Sequence, residues 1–269
     1  MSISSRSESR VRWFCGAVRS IVLRCVRAYW GITVDGRQNL EMPGACILAP
    51  VHRSFVDFLV VAAVARNGTK IKFMAKDTLW KWKLFGRLLF ALGSFPVHRE
   101  GSDREALRRA AEVLEKGEVL VLFPEGTRRS GSQVEDIHDG AAFLALRCAV
   151  PIVPIGIAGS QRALPKGSWL PRPVRIHVVI GERIMPTEGT AGKDNGASRQ
   201  HRSALASEGA DRRAAPREAG GLSGPTPQSH PRRRPARSSV RALTEELRSR
   251  LQDAYSQALA ELVSRGGRR

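Results

Sequence analysis

A chain of 269 residues with 42% apolar content can bury the core of one large or two small domains. Its formal net charge of +19 points to an anionic partner: nucleic acid, an anionic membrane face or phosphorylated small molecules. Cys15, Cys25, Cys46 and Cys148 are scattered without C-x-x-C spacing, which argues against a disulfide framework or a zinc site and for the reduced thiols of a cytosolic protein.

Arg6, Glu8, Arg10 and Arg12 precede anything apolar, and no small-residue cleavage site follows, so no secretory signal is expected. Trp13–Trp30 is apolar but is interrupted by Arg19, Arg24 and Arg27, short of the roughly 20 uninterrupted residues a membrane span needs. At helical spacing Arg12, Arg19, Arg24 and Arg27 share one arc, while Phe14, Val18, Ile21, Val22 and Cys25 fill the other. The pattern predicts an amphipathic cationic helix lying in a membrane interface.

Short strands follow over Ile32–Arg37 and Ala45–Ala49. Phe55–Arg66 has helical length and stops at Asn67-Gly68. Ile71–Ala75 is a strand candidate, Thr78–Leu92 a helix rich in aromatic and basic residues that suits a second interfacial segment, and Gly93–Val97 another strand. Asp103–Lys116 reads as an amphipathic helix capped by Ser102 and stopped by Gly117. "EVLVLF" at 118–123 is a buried strand, Gly140–Ala149 a helix, and Ile152–Ile157 and Val174–Ile180 two further strands.

Strands alternating with helices predict an α/β fold, a largely parallel or mixed sheet flanked by helices, preceded by the N-terminal interfacial helix. The expected organisation is residues 1–30 as that helix and 31–186 as the core. Residues 187–239 form an Arg/Pro/Gly/Ser-rich disordered insertion, and 240–269 a C-terminal helix packing back on the core.

In "PVHRSFVDFL", residues 50–59, Ser54 and Asp57 have the spacing of a capping box at a helix start. His52 and Asp57, about 140° apart on a regular helix, cannot face each other mid-helix. They can meet if His52 sits in the strand-to-helix turn and Asp57 in the first helical turn. Asp57 then fixes the imidazole tautomer and leaves the other nitrogen to take a proton, which is two-thirds of a Ser-His-Asp triad. No G-x-S-x-G elbow supplies the serine, so a substrate hydroxyl attacking an acyl carbonyl completes it. His52 and Glu125 each follow a strand, so two strand exits can meet at one site.

"LFPEGTRRSG" at 122–131 predicts a sharp turn whose amides, freed by Gly126, and whose guanidinium at Arg128 suit a phosphate. Arg99 closes the apolar strand of "GSFPVHRE". "VPIVPI" at 150–155 reads as a structural wall.

Together these blocks resemble the 1-acylglycerol-3-phosphate O-acyltransferase family of H-x4-D glycerolipid acyltransferases. The resemblance covers residues 30–185 and rests on His52–Asp57, the strand closing on Arg99, F-P-E-G-T-R at Phe123–Arg128 and V-P-I-V-P at Val150–Pro154. It implies transfer of a fatty acyl group from acyl-CoA or acyl-carrier protein to the free sn-2 hydroxyl of 1-acyl-glycerol-3-phosphate, giving phosphatidic acid. On this resemblance His52 is the general base and Asp57 its orienting partner. Arg99, Glu125, Gly126, Thr127 and Arg128 hold the acceptor, with Lys76 a further phosphate ligand. No metal and no cofactor beyond the acyl donor are implied. The expected place is the cytoplasmic face of the cell membrane, peripheral or monotopic, on an anionic surface.

Two positions depart from the family pattern: Val51 stands where many members carry Asn, and Arg129 precedes Ser130 in the third block. The same chemistry on glycerol 3-phosphate, another lysophospholipid or a lipid alcohol is the alternative, as is a thioesterase in which water replaces the hydroxyl. A nucleic-acid-binding protein fits the charge but finds no helix-turn-helix, RNP or zinc signature, so no specific nucleic acid is expected.

Overall fold

The computed structural model describes residues 20–41, 44–65, 71–76, 94–97, 103–165, 167–186 and 234–266. Seven strands form one sheet in the order β1-β7-β6-β2-β5-β3-β4. They are β1 (Thr33–Asp35), β2 (Ile47–Pro50), β3 (Ile71–Lys76), β4 (Ser94–Val97), β5 (Val119–Val121), β6 (Ile152–Ala158) and β7 (His177–Ile180). From β6 to β4 every neighbouring pair is parallel. β7 runs antiparallel to β6, and β1 runs parallel to β7, so the sheet is mixed.

Six helical segments complete the described fold: α1 (20–29), α2 (Asp57–Val64), α3 (Asp103–Glu115), α4 (Gly140–Cys148), the single turn α5 (Ser160–Ala163) and α6 (Arg237–Gly266). A 3-10 turn at Arg37–Leu40 follows β1 and takes in Arg37, the last residue of the expected Ile32–Arg37 strand. Of the expected N-terminal helix over residues 1–30, only 20–30 are described, and 20–29 are helical. The Thr78–Leu92 segment and nearly all of the expected insertion fall outside the described residues. Among the described residues no helix is long and apolar enough to cross a membrane.

Alternation along the strands divides the apolar residues between the two faces of the sheet. Ile47, Ala49, Leu120 and Ile152 pack with Ala110 and Leu114 of α3, Leu144 of α4 and Leu247 of α6. Leu48, Val121, Val153 and Ile155 pack with Val60, Val61 and Val64 of α2. The α2 segment is apolar nearly all round and correspondingly buried. α6 crosses β6 so closely that a Cβ at Gly156 would stand 2.2 Å from the Ala254 carbonyl oxygen, the close backbone approach that a glycine inside a strand permits.

One buried polar group lies on the antiparallel side. His177 of β7 places Nδ1 2.7 Å from Thr33 Oγ1 and Nε2 3.3 Å from Asp35 Oδ2, and Asp35 also pairs with Arg265 of α6. Burial holds the imidazole below its ordinary value of 6.5; Asp35 and Glu261 oppose this, and Arg265 adds to it. Below 6.5 the unfolded chain therefore binds the proton more readily than the folded one. This contribution to stability is complete above pH 6.5 and is lost as the pH falls from there toward the depressed folded value. Urea midpoints taken between pH 7.5 and 5 should accordingly fall less steeply for His177→Gln than for the wild type. Equal slopes would show that His177 carries none of the acid sensitivity.

Candidate active site

The parallel strands β6, β2, β5, β3 and β4 all end at one edge of the sheet, and the candidate residues gather there. β2 keeps strand geometry as far as Val51, whose N–H donates to the Ile155 carbonyl at 3.0 Å. At His52 the chain turns, and one carboxylate organises the turn. Asp57 Oδ2 accepts from Arg53 N–H and Ser54 N–H, each at 2.7 Å, and lies 3.0 Å from His52 Nδ1. Asp57 is fully buried at the start of α2, where the positive end of the helix dipole favours a negative charge. Its other oxygen has no hydrogen-bond partner among the described residues. Since a carboxylate only accepts, Nδ1 carries the proton and Nε2 keeps its lone pair. The His52 side chain is 21% exposed, so the ring is not wholly enclosed by the fold.

Only half of the expected capping box forms. Asp57 reaches back to the Ser54 amide, but Ser54 Oγ does not cap α2; it donates to the Leu164 carbonyl at 3.0 Å. A local cap therefore loses its hydroxyl to a tertiary partner. The Phe123 ring lies over the imidazole, centroids 4.3 Å apart and planes inclined by 32°, so one face of His52 is covered.

Glu125 leaves β5, the strand beside β2, and the register Leu48↔Val121 sets it level with His52. It does not point outward to an acceptor, as expected from the sequence. It is 1% exposed, accepts the His52 N–H at 2.7 Å and binds Arg53 Nη1 through both oxygens at 2.6 and 2.7 Å. The Arg53 guanidinium is buried, which opposes its charge, yet the hydrogen bond and charge of Glu125 outweigh this and raise its pKa. Glu125 is thus a positioning group for the His52 turn. On the other side of that turn, Arg129 N–H donates to the His52 carbonyl at 2.9 Å.

Arg53 was not among the expected site residues, nor were two residues of α6. Arg53 Nη2 donates to the Gln133 carbonyl at 2.9 Å, and its guanidinium lies 4.7 Å from the centre of the Tyr255 ring. Tyr255 OH donates to the Gly131 carbonyl at 3.1 Å. Gln252 accepts the Val134 N–H at 2.6 Å and donates to the Ser132 carbonyl at 3.1 Å. The C-terminal helix thereby fastens the loop that follows the F-P-E-G-T-R block.

Within that block Gly126 has φ +65, and a Cβ there would stand 2.7 Å from His138 Nε2, so the tight turn requires glycine. The amides do not remain open as the sequence reading expected. Gly126 N–H donates to the Phe123 carbonyl at 3.1 Å, and Thr127 N–H to the Glu125 carbonyl at 2.7 Å. Both amides close the turn itself. Thr127 and Arg128 are exposed beyond it.

A geometry of this kind, a parallel sheet delivering an Asp-oriented histidine and a charged turn from adjacent strands, can be compared with known proteins. Residues 31–158 match the family model described as acyltransferase. That region is an acyltransferase-family domain. A 1-acyl-sn-glycerol-3-phosphate acyltransferase of Bacillus subtilis is 29% identical over 173 residues, covering 64% of this chain and 81% of the relative. The chloroplastic 1-acyl-sn-glycerol-3-phosphate acyltransferase BAT2 of Brassica napus is 28% identical over 143 residues, covering 52% of this chain but only 41% of the relative. The crystal structure of the 1-acyl-sn-glycerophosphate (LPA) acyltransferase PlsC from Thermotoga maritima shares the fold. Its TM-score is 0.56 at 22% identity, over 69% of this chain and 75% of that one.

In the acyltransferase domain the remaining candidates are placed by the backbone. β3 pairs with β5 and ends at Lys76, and β4 pairs with β3 and ends at Val97, so Lys76 stands at the edge where His52 lies. Arg99 follows β4 but falls outside the described residues. A cleft of about 320 Å³ lined by Asp35, Gly181, Arg250 and Asp253 lies at the opposite edge and contains none of the candidates.

Proposed function

We propose that this protein is a 1-acylglycerol-3-phosphate O-acyltransferase working at an anionic bilayer surface. The observation that carries the reading is the contact between His52 Nδ1 and the buried Asp57, which leaves Nε2 as the proton acceptor at the strand-exit edge. The relatives' names support the choice of acceptor.

In the proposed reaction the sn-2 hydroxyl of the lysophosphatidate gives its proton to Nε2 as its oxygen attacks the carbonyl of an acyl thioester. The charge that develops on the imidazole is stabilised by Asp57, which takes no proton itself. Collapse of the tetrahedral adduct forms the ester and breaks the carbon–sulfur bond, and the departing thiolate takes the proton back from His52. The thioester is acyl-CoA or acyl-carrier protein. Arg128, exposed beside the turn, contacts the acceptor phosphate, and Lys76 and Arg99 serve as further phosphate ligands. Long-chain substrates and the net charge of +19 support a reaction at an anionic membrane, with attachment that is peripheral or monotopic.

The test is phosphatidate formation by the purified full-length protein from lysophosphatidate and acyl-CoA. Steady thiol release without any acceptor would replace the reading by a thioesterase. Turnover only with glycerol 3-phosphate or a lipid alcohol would change the acceptor. Removing one charge-assisted phosphate contact should raise the lysophosphatidate KM of Arg128→Ala by roughly tenfold or more, with little change in kcat. An unchanged KM would take Arg128 off the phosphate.

A further inference from the structure

The loop over residues 164–172 belongs to neither the catalytic turn nor the family-matched region, yet it is fastened to the catalytic turn. Arg172 N–H donates to the Ala163 carbonyl at 2.8 Å and closes the loop at its base. Ser54 Oγ, two residues past His52, donates to the Leu164 carbonyl. From the other side Tyr29 OH donates to the Pro171 carbonyl at 2.9 Å and Trp30 Nε1 to the Arg172 carbonyl at 3.1 Å, which ties the loop to the end of α1. Base and neighbours are fixed; the tip is not covered. Trp169 is 88% exposed and Leu170 61%. Ile21 and Tyr29 on the adjoining helix are also exposed.

An exposed tryptophan beside an exposed leucine, on a loop held at its base by hydrogen bonds, marks a surface that meets a partner. The charge around it identifies the kind. Neither 20–31 nor 159–176 contains a single Asp or Glu. Arg24 on the helix, and Arg162, Arg172 and Arg175 at the two ends of the loop, are exposed. An apolar tip whose own loop and adjoining helix carry basic but no acidic residues complements an anionic lipid surface: the indole sits at headgroup depth and the arginines meet lipid phosphates. Nucleic acid would satisfy the arginines and stack on Trp169 and Tyr29, but Leu170 and Ile21 have no ring to stack.

We propose that the loop over residues 164–172, with the exposed face of α1, docks on an anionic bilayer, Trp169 and Leu170 entering the interface. It rests on the lipid-acyltransferase reading for its purpose: a loop bonded to the His52 turn brings that turn to the depth at which a lysophosphatidate headgroup lies. Its test does not depend on that reading. The full-length protein is floated with phosphatidylcholine vesicles with and without phosphatidylglycerol, wild type against Trp169→Ser/Leu170→Ser. Partition of the double variant onto the anionic vesicles should fall roughly tenfold or more, since two large apolar side chains no longer leave water. Arg162→Glu should weaken binding only to vesicles containing phosphatidylglycerol. Acyl transfer to a short-chain, monomeric lysophosphatidate should be unchanged in both.

Equal flotation of wild type and double variant would overturn the docking surface, and so would a wild type that does not float. Loss of affinity for a short RNA rather than for vesicles would assign the surface to nucleic acid instead. Tryptophan-dependent flotation without any acyl transfer would leave the surface standing and remove the lysophosphatidate reading.

Discussion

His52→Ala should lower kcat for acyl transfer by at least ~10²-fold while leaving the thermal midpoint close to that of the wild type. The side chain contributes one hydrogen bond, to Asp57, and one ring contact, to Phe123, while the backbone of residue 52 keeps its bonds to Glu125 and Arg129. The turn should therefore survive the substitution. What disappears is the proton acceptor, and a neutral hydroxyl then attacks the thioester unaided. Asp57→Asn separates the orienting role from the basic one. The amide NH2 cannot accept from the Arg53 and Ser54 amides as the carboxylate oxygen does, and presenting its own oxygen to them leaves no charge to stabilise an imidazolium. Both variants should lose turnover, but Asp57→Asn should also lose stability because the turn is built on that oxygen. Comparable turnover of His52→Ala and wild type, in a protein shown to be folded, would remove the base from the mechanism.

The residues that act through local chemistry were legible in the sequence; those that act across the fold were not. A histidine at a strand exit five positions before an aspartate constrains its own geometry, and the contact at 3.0 Å is what the turn dictates. The mixed character of the sheet was foreseen as an option, but no periodicity distinguishes an antiparallel β7 from a parallel one: the apolar residues alternate identically in either direction. Glu125 was read as facing the substrate because an acidic residue in a polar turn fits a solvated site as well as a buried pair. What decides is Arg53, 72 positions earlier in the chain. Arg53 itself stood in plain view beside His52, yet a basic residue next to a candidate base carries no local mark of burial. The bond from Tyr255 to Gly131 spans 124 positions, and α6 displays only a helical pattern of apolar residues. Ser54 shows the converse: a local capping preference gave way to the Leu164 carbonyl that the fold brought within 3.0 Å.

The Arg53–Glu125 pair supplies the second large effect, this time on stability. Both side chains are essentially unexposed, at 1% and 0%, so Arg53→Met would leave the Glu125 carboxylate buried with only the His52 amide to answer it. Breaking a buried pair from one side costs about 3–5 kcal/mol, because the surviving charge has already lost its water. Against the 5–15 kcal/mol typical of a folded domain, that is a large shift in the urea midpoint. Arg53→Met/Glu125→Gln removes both charges and keeps a group able to accept the His52 N–H, so it should recover much of the loss. The double variant should be more stable than the Arg53→Met single variant, a sign opposite to that expected for independent contacts. Activity should not recover with it. Without the guanidinium the contacts from the His52 turn to the Gln133 carbonyl and the Tyr255 ring are lost, so the proposed base should be held less firmly. A double variant less stable than Arg53→Met would show that the Glu125 carboxylate stabilises the fold without Arg53 and would overturn the buried pair as the source of the loss. A double variant with full turnover would show that α6 stabilises the domain without positioning its histidine.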